Sequence, residues 1–175
     1  MKREDIDPIE NEQAGEIKTR ITTLIEKNNL YFCLECGKCS AVCPMLEFYG
    51  SYVYDRSPRA VVERLSFDPE GFDDEALWYC LACQECTFFC PSGVDFQDFT
   101  IALRALLLRH GFKKYALFCP VCGTYIMPKK EFENFQKTMN DEKIGELLSV
   151  CPRCKTTGYV EILHRVAPIQ KRPKR

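Results

Sequence analysis

The chain has no long hydrophobic run. Its longest apolar stretch, around Ile101 to Leu108, is broken by Arg104 and is too short to cross a bilayer. The first residues, Met-Lys-Arg-Glu-Asp, carry no apolar segment, so no secretory signal is expected and the reducing cytoplasm is the expected compartment. Neither sign of charge dominates: 24 Lys and Arg stand against 25 Asp and Glu, for a net charge of −1. Bulk electrostatics therefore points to neither nucleic acid nor a membrane surface. Only two histidines, His110 and His164, are present. Neither is paired with a nucleophile or carboxylate of the kind general acid–base catalysis needs. There is no Gly-x-Gly-x-x-Gly frame and no phosphate-loop lysine, so no flavin, nicotinamide or nucleotide site is evident.

What the chain has is cysteine, twelve in 175 residues. Eight of them fall into two copies of one frame: Cys33-x2-Cys36-x2-Cys39-x3-Cys43-Pro44 and Cys80-x2-Cys83-x2-Cys86-x3-Cys90-Pro91. Repeated close pairs suit metal better than disulfides, above all where thiols stay reduced. The spacing is that of two-cluster 4Fe–4S ferredoxins, whose fourth cysteine ligates the other cluster. Three cysteines at i, i+3 and i+6 can bend around three corners of a cube. The fourth reaches a neighbour, and the following proline leads the chain away in an extended path. Where this crossing applies, cluster one takes Cys33, Cys36, Cys39 and Cys90, and cluster two takes Cys80, Cys83, Cys86 and Cys43. Lys38 in the first frame and Glu85 at the equivalent place in the second differ in charge, which suggests that cluster one is the easier to reduce.

The remaining four cysteines form Cys119-Pro-Val-Cys122-Gly and Cys151-Pro-Arg-Cys154. Such knuckles build tetrahedral four-thiolate sites, and a structural Zn²⁺ is the expected occupant. A mononuclear iron or a third 4Fe–4S cluster fits the same ligands.

Around these motifs the apolar pattern is helical. Ile17, Ile21, Leu24 and Ile25 lie on one face of a helix expected over Glu12–Asn29, after a loose acidic lead-in. Ser57-Pro58 is a helix start, and Asp68-Pro69-Glu70-Gly71 a turn. Asp73 is expected to cap a short helix running into Cys80. Phe96, Phe99, Leu103, Leu106 and Leu107 share one face of a helix begun by Ser92 or Asp95 and stopped at His110-Gly111. Trp78, Tyr79, Phe88 and Phe89 are expected to shield the second frame from water. Farther on, Tyr115–Phe118 and Tyr159–Val166, with His164, have strand character. Residues 129–149 read as helix, with Phe132, Phe135, Met139, Leu147 and Leu148 inward. The expected organisation is a mainly α protein: a two-cluster domain over residues 1–111, a small α+β zinc-ribbon or rubredoxin-like unit over 112–166, and a basic tail over 167–175.

Residues 31–110 resemble the α-helical two-cluster ferredoxin subunit of the heterodisulfide reductase type. Tyr31, Cys33 to Pro44, Ser57-Pro58-Arg59, Leu77-Trp78, Cys80 to Pro91 and Leu103-Arg104 carry the resemblance. It implies an electron-transfer subunit with no catalysis of its own, placed between a flavin or iron–sulfur donor and a catalytic oxidoreductase subunit of an anaerobic complex. The C-terminal cysteine unit departs from the plain pattern. The small iron–sulfur subunit beside a tungsten enzyme, as in the class II benzoyl-CoA reductase system, is the specific case suggested. Two other classes are weighed. A regulatory iron–sulfur sensor would bind DNA, and no basic recognition helix is apparent. A catalytic reductase would need a cluster with an open iron, whereas all eight frame cysteines already have a place.

Overall fold

The computed structural model describes residues 8–69, 72, 75–139 and 142–166. The lead-in before Pro8, Asp73 with Glu70-Gly71, and the basic tail lie outside them. The described chain is mainly helical and divides between Tyr115 and Ala116 into two compact units.

The first unit is built on two helices. Helix α1 (Pro8–Lys27) begins earlier than the apolar pattern indicates, with a proline at its first position, where the missing N–H costs nothing. Ile17, Ile21 and Ile25 are buried on one face. Helix α6 (Phe96–Arg109) opposes it, burying Phe96, Phe99, Leu103, Leu106 and Leu107. Each of these large side chains contributes about 1.5–3 kcal/mol through removal from water. Asp95 caps α6 by accepting from the Asp98 N–H at 3.1 Å, and His110 with left-handed Gly111 closes it.

Both cysteine frames are tied to this pair. Asn28, buried after the end of α1, donates to the Leu24 carbonyl at 2.8 Å and accepts from the Asp95 N–H at 3.0 Å. Asn29 takes a left-handed turn and donates to the Gly93 carbonyl at 3.2 Å. The chain entering the first frame is thus pinned to the chain leaving the second. Between the frames lie α2 (Lys38–Ala41), α3 (Met45–Tyr49) and α4 (Pro58–Phe67), with 3₁₀ turns at Tyr54–Arg56 and Glu75–Tyr79. Ser57 starts α4 by accepting from the Ala60 N–H at 3.3 Å, with Pro58 next, as the sequence indicates. Helix α5 (Glu85–Phe88) sits in the second frame.

The second unit is a hairpin with three helices. Strands β1 (Ala116–Phe118) and β2 (Tyr125–Pro128) pair antiparallel, with an irregularity between Leu117 and Phe118. Nothing in the apolar pattern signals β2. Residues 129–149 form two helices, α7 (Lys129–Met139) and α8 (Glu142–Ser149). Phe132, Phe135 and Leu148 are half-buried, whereas Met139 and Leu147 are exposed, against expectation. Tyr159–Val166 is not a strand. It belongs to α9 (Pro152–Val166), and His164 is helical. The β-branched and aromatic residues here favour strand, but Pro152 sets up a first helical turn that outweighs them. Thr156 and Thr157 donate to the carbonyls four residues back, at 3.0 and 3.1 Å, which satisfies them inside the helix. The unit is therefore α+β, but with one hairpin among the described residues rather than the two of a ribbon.

Candidate metal centres

The two frames share a backbone conformation. Each enters the left-handed region at the same two offsets: Glu35 (φ 52°) and Gly37 (φ 76°) in the first, Ala82 (φ 50°) and Gln84 (φ 74°) in the second. A residue with a Cβ loses about 1–2 kcal/mol in this region, and only Gly37 escapes that cost. Such strain persists where the surroundings impose it, and it gathers at functional sites. Left-handed residues placed this way turn backbone N–H groups into a concavity suited to anionic sulfur. A four-residue helix follows each loop, α2 after Gly37 and α5 after Gln84.

The eight cysteines sort into two cavities. One, of about 510 Å³ including its open mouth, is lined by Cys43, Cys80, Cys83 and Cys86, with Met45, Arg56, Val61, Tyr79 and Phe96. The other, of about 440 Å³, is lined by Cys33, Cys36, Cys39 and Cys90, with Leu34, Arg59, Val62 and Val94; Cys86 also reaches its wall. The first cavity takes three cysteines from the second frame and Cys43 from the first; the second takes three from the first frame, with Cys90 and the shared Cys86 from the second. Cys36 and Cys83, which occupy equivalent places, are exposed.

Burial sets the acidity of these thiols. It pushes Cys86 up to about 12 and raises Cys39 and Cys43. Cys80 is also raised by burial, against the pull of the Arg104 charge, the Ala82 N–H and the Thr100 hydroxyl. Cys90 moves the other way. Burial alone would raise it, but hydrogen bonds from the Ser92 hydroxyl at 3.4 Å and the Val94 N–H at 3.3 Å bring it below the usual thiol value. Three buried hydroxyl oxygens, Ser40 Oγ, Ser66 Oγ and Thr100 Oγ1, have no protein partner of ordinary hydrogen-bond geometry, and Ser40 and Thr100 lie beside the cavities. Ser40 and Thr100 each act on a cavity thiol, Cys39 and Cys80 respectively. Sulfur-rich clusters accept such donors, so the residues present fit a group of that kind.

The shield expected around the second frame is only half there. Trp78 and Tyr79 are buried, but Phe88 is 78% exposed and Phe89 is exposed beside it. Arg104 is a site residue that the motifs do not reveal. It is 7% exposed, and its guanidinium donates to the Leu77 carbonyl and, at 2.6 Å, to the Cys80 carbonyl, near the face of Trp78. These bonds fasten the start of the second frame to α6.

In the second unit, Cys119, Cys122, Cys151 and Cys154 place their sulfurs within 4.8 Å of one another. Cys119 and Cys122 sit in the turn between β1 and β2. The Cys119 N–H donates to Thr124 O at 2.8 Å, and left-handed Gly123 donates to Cys119 O at 2.9 Å. Cys151 and Cys154 stand at the start of α9, so the second knuckle is a helix end. The Cys151 N–H donates to Cys119 Sγ at 3.4 Å and lowers that thiol to about 6. Cys122 is lowered by its contact with the Thr124 hydroxyl at 3.2 Å. Cys154, hydrogen-bonded to Cys122 and Cys151, is pushed up to about 12. Four thiolates on one Zn²⁺, with Zn–S near 2.3 Å, put sulfurs about 3.8 Å apart. The 3.5 Å between Cys122 and Cys151 Sγ is close to that.

The family model described as a 4Fe-4S dicluster domain matches residues 29–94. This part of the chain is an iron–sulfur, ferredoxin-like segment. The match covers both cysteine frames and the helices between them, and stops short of α6 and the second unit. No curated protein and no solved structure matches the chain. No helix among the described residues is long and apolar enough to cross a membrane.

Proposed function

We propose that this chain is an electron-transfer subunit with two 4Fe–4S clusters and a structural zinc site, serving the catalytic subunit of an oxidoreductase complex. The observation that carries the reading is the sorting of eight cysteines into two cavities that exchange their fourth member. Cys33, Cys36, Cys39 and Cys90 hold one cluster; Cys80, Cys83, Cys86 and Cys43 hold the other. A bound 4Fe–4S cluster supplies one-electron redox chemistry. The chain supplies the rest. Its cysteines fix two cofactors as neighbours, because Cys43 and Cys90 each belong to the other frame's set. Buried Met45, Val61 and Phe96 keep water from the interior side, while exposed Cys36 and Cys83 leave each set an edge toward solvent. That is the arrangement a relay needs, with a protected interior and an accessible edge.

Cys119, Cys122, Cys151 and Cys154 hold Zn²⁺, which supports a unit whose own buried core is small. The partners of the resemblance, a flavin or iron–sulfur donor and a catalytic subunit of the heterodisulfide reductase or tungsten-enzyme kind, are the ones to seek.

Anaerobic purification from the native host tests the role. Co-purification with an oxidoreductase, and reoxidation of the dithionite-reduced chain by that partner, is the expected result. A chain that emerges alone and exchanges no electrons with any oxidoreductase contradicts it.

A further inference from the structure

Arg104 is the one buried basic side chain among the residues whose burial is described. The other cations near the two cavities are more exposed than Arg104, although the Arg59 Nε atom is buried without a hydrogen-bond partner. Arg59 pairs with Glu35 at 3.3 Å, Arg56 faces Glu75 at 3.9 Å, and Lys38 is exposed, where solvent and salt screen it. Arg104 has no carboxylate partner among the described residues. Its hydrogen bonds go to the carbonyls of Leu77 and Cys80, and Cys80 lines only the cavity of Cys43, Cys83 and Cys86. A buried cation needs a compensating negative charge. A cubane held by four thiolates is net negative, and becomes more so by one charge when reduced. Thr100, one helical turn before Arg104 and fully buried, adds a hydroxyl with no ordinary partner.

We propose that Arg104 makes the cluster held by Cys43, Cys80, Cys83 and Cys86 the more easily reduced of the two, so that an entering electron settles there first. This rests on the two-cluster reading above. It reverses the order suggested by Lys38 and Glu85, because both of those side chains are exposed while Arg104 is not. The charge acts more strongly on the reduced cluster than on the oxidised one, and its bond to the Cys80 carbonyl places it nearer that cluster, so it raises that cluster's potential more than the other's.

The test is a dithionite redox titration of the full chain followed by electron paramagnetic resonance. In the unmodified protein the first signal to appear should be the one altered by Cys83→Ser, not by Cys36→Ser. Arg104→Gln should lower the reduction equilibrium of that cluster about tenfold or more, which is about 59 mV for a one-electron couple. Arg104→Lys, which keeps the charge and loses the paired bonds, should restore most of the shift. A first signal altered by Cys36→Ser overturns the proposal without any Arg104 variant. So does Arg104→Gln with unchanged potentials, or equal shifts for Gln and Lys. An unmodified chain that loads fewer than two clusters defeats the two-cluster reading instead.

Discussion

The two cysteine-rich units use the same residue and much the same Cys-x2-Cys spacing, yet they differ in how far apart they leave their sulfurs. In the second unit four Sγ atoms gather within 4.8 Å, the size of one coordinated ion. In the first, no comparable gathering of sulfurs occurs among the described residues, and the cysteines line two cavities instead. The difference comes from the backbone between them. Cys119–Thr124 closes a tight hairpin turn, and Cys151 meets it at the foot of a helix. The Cys33 and Cys80 loops instead pass twice through the left-handed region and then release a distant fourth cysteine. The spacing within a motif names the element; the path after it decides whether an ion or a cluster fits.

That contrast can be broken at either end. The largest effect should come from Cys43→Ser, which lies in the first frame but should cost the second frame its cluster: about half the iron is lost, close to four atoms per chain. Iron analysis, with resonance showing which signal disappears, checks it. Loss of the cluster of Cys33, Cys36 and Cys39 instead would break the crossed assignment. Next, Cys154→Ser should remove zinc from the second unit and expose it to proteolysis, because structural zinc in small domains contributes on the order of 10–16 kcal/mol of binding free energy to folding. The iron content should stay unchanged.

In the first unit, Phe99→Ala on the buried face of α6 should cost about 3–5 kcal/mol in denaturant unfolding without altering the metal content. A fourth prediction concerns acidity. At neutral pH Cys119, near 6, is a thiolate while Cys154, near 12, keeps its proton. Binding of Zn²⁺ must expel that proton, so affinity rises with pH, by about tenfold per unit for each proton released. It falls further below pH 6 as Cys119 protonates. Competition with a chelator on either side of neutrality reads the slope, and a flat profile contradicts the assignment. The smallest effect belongs to the paired loop positions. Gly37→Ala should destabilise by about 1 kcal/mol, since its φ is 76° although a Cβ would meet nothing closer than Arg59 Nη1 at 3.9 Å. Gln84→Gly should stabilise by a similar or smaller amount.

The parts of this fold written locally in the sequence are legible there. The buried stripe of α6, the Ser57 and Asp95 caps and the stop at His110-Gly111 each depend on residues within a turn or two. Gly37 can be read as a left-handed position, but Glu35, Ala82 and Gln84 cannot, because the loop's tertiary setting imposes that conformation. The strand expected over Tyr159–Val166 is absent because the helix start at Pro152 outweighs local strand propensity. Apolar character alone points Met139 and Leu147 inward, yet both are exposed. In the apolar pattern Arg104 is only an interruption, and the resemblance includes it without giving it a role. Its role rests on carbonyls 27 and 24 residues earlier, which no periodicity reports.

The central claim is that two clusters and one ion divide the twelve cysteines eight to four. Metal analysis of the anaerobically purified, full-length chain tests it most directly. The account predicts about eight irons and one zinc per chain. About twelve irons with no zinc would contradict it.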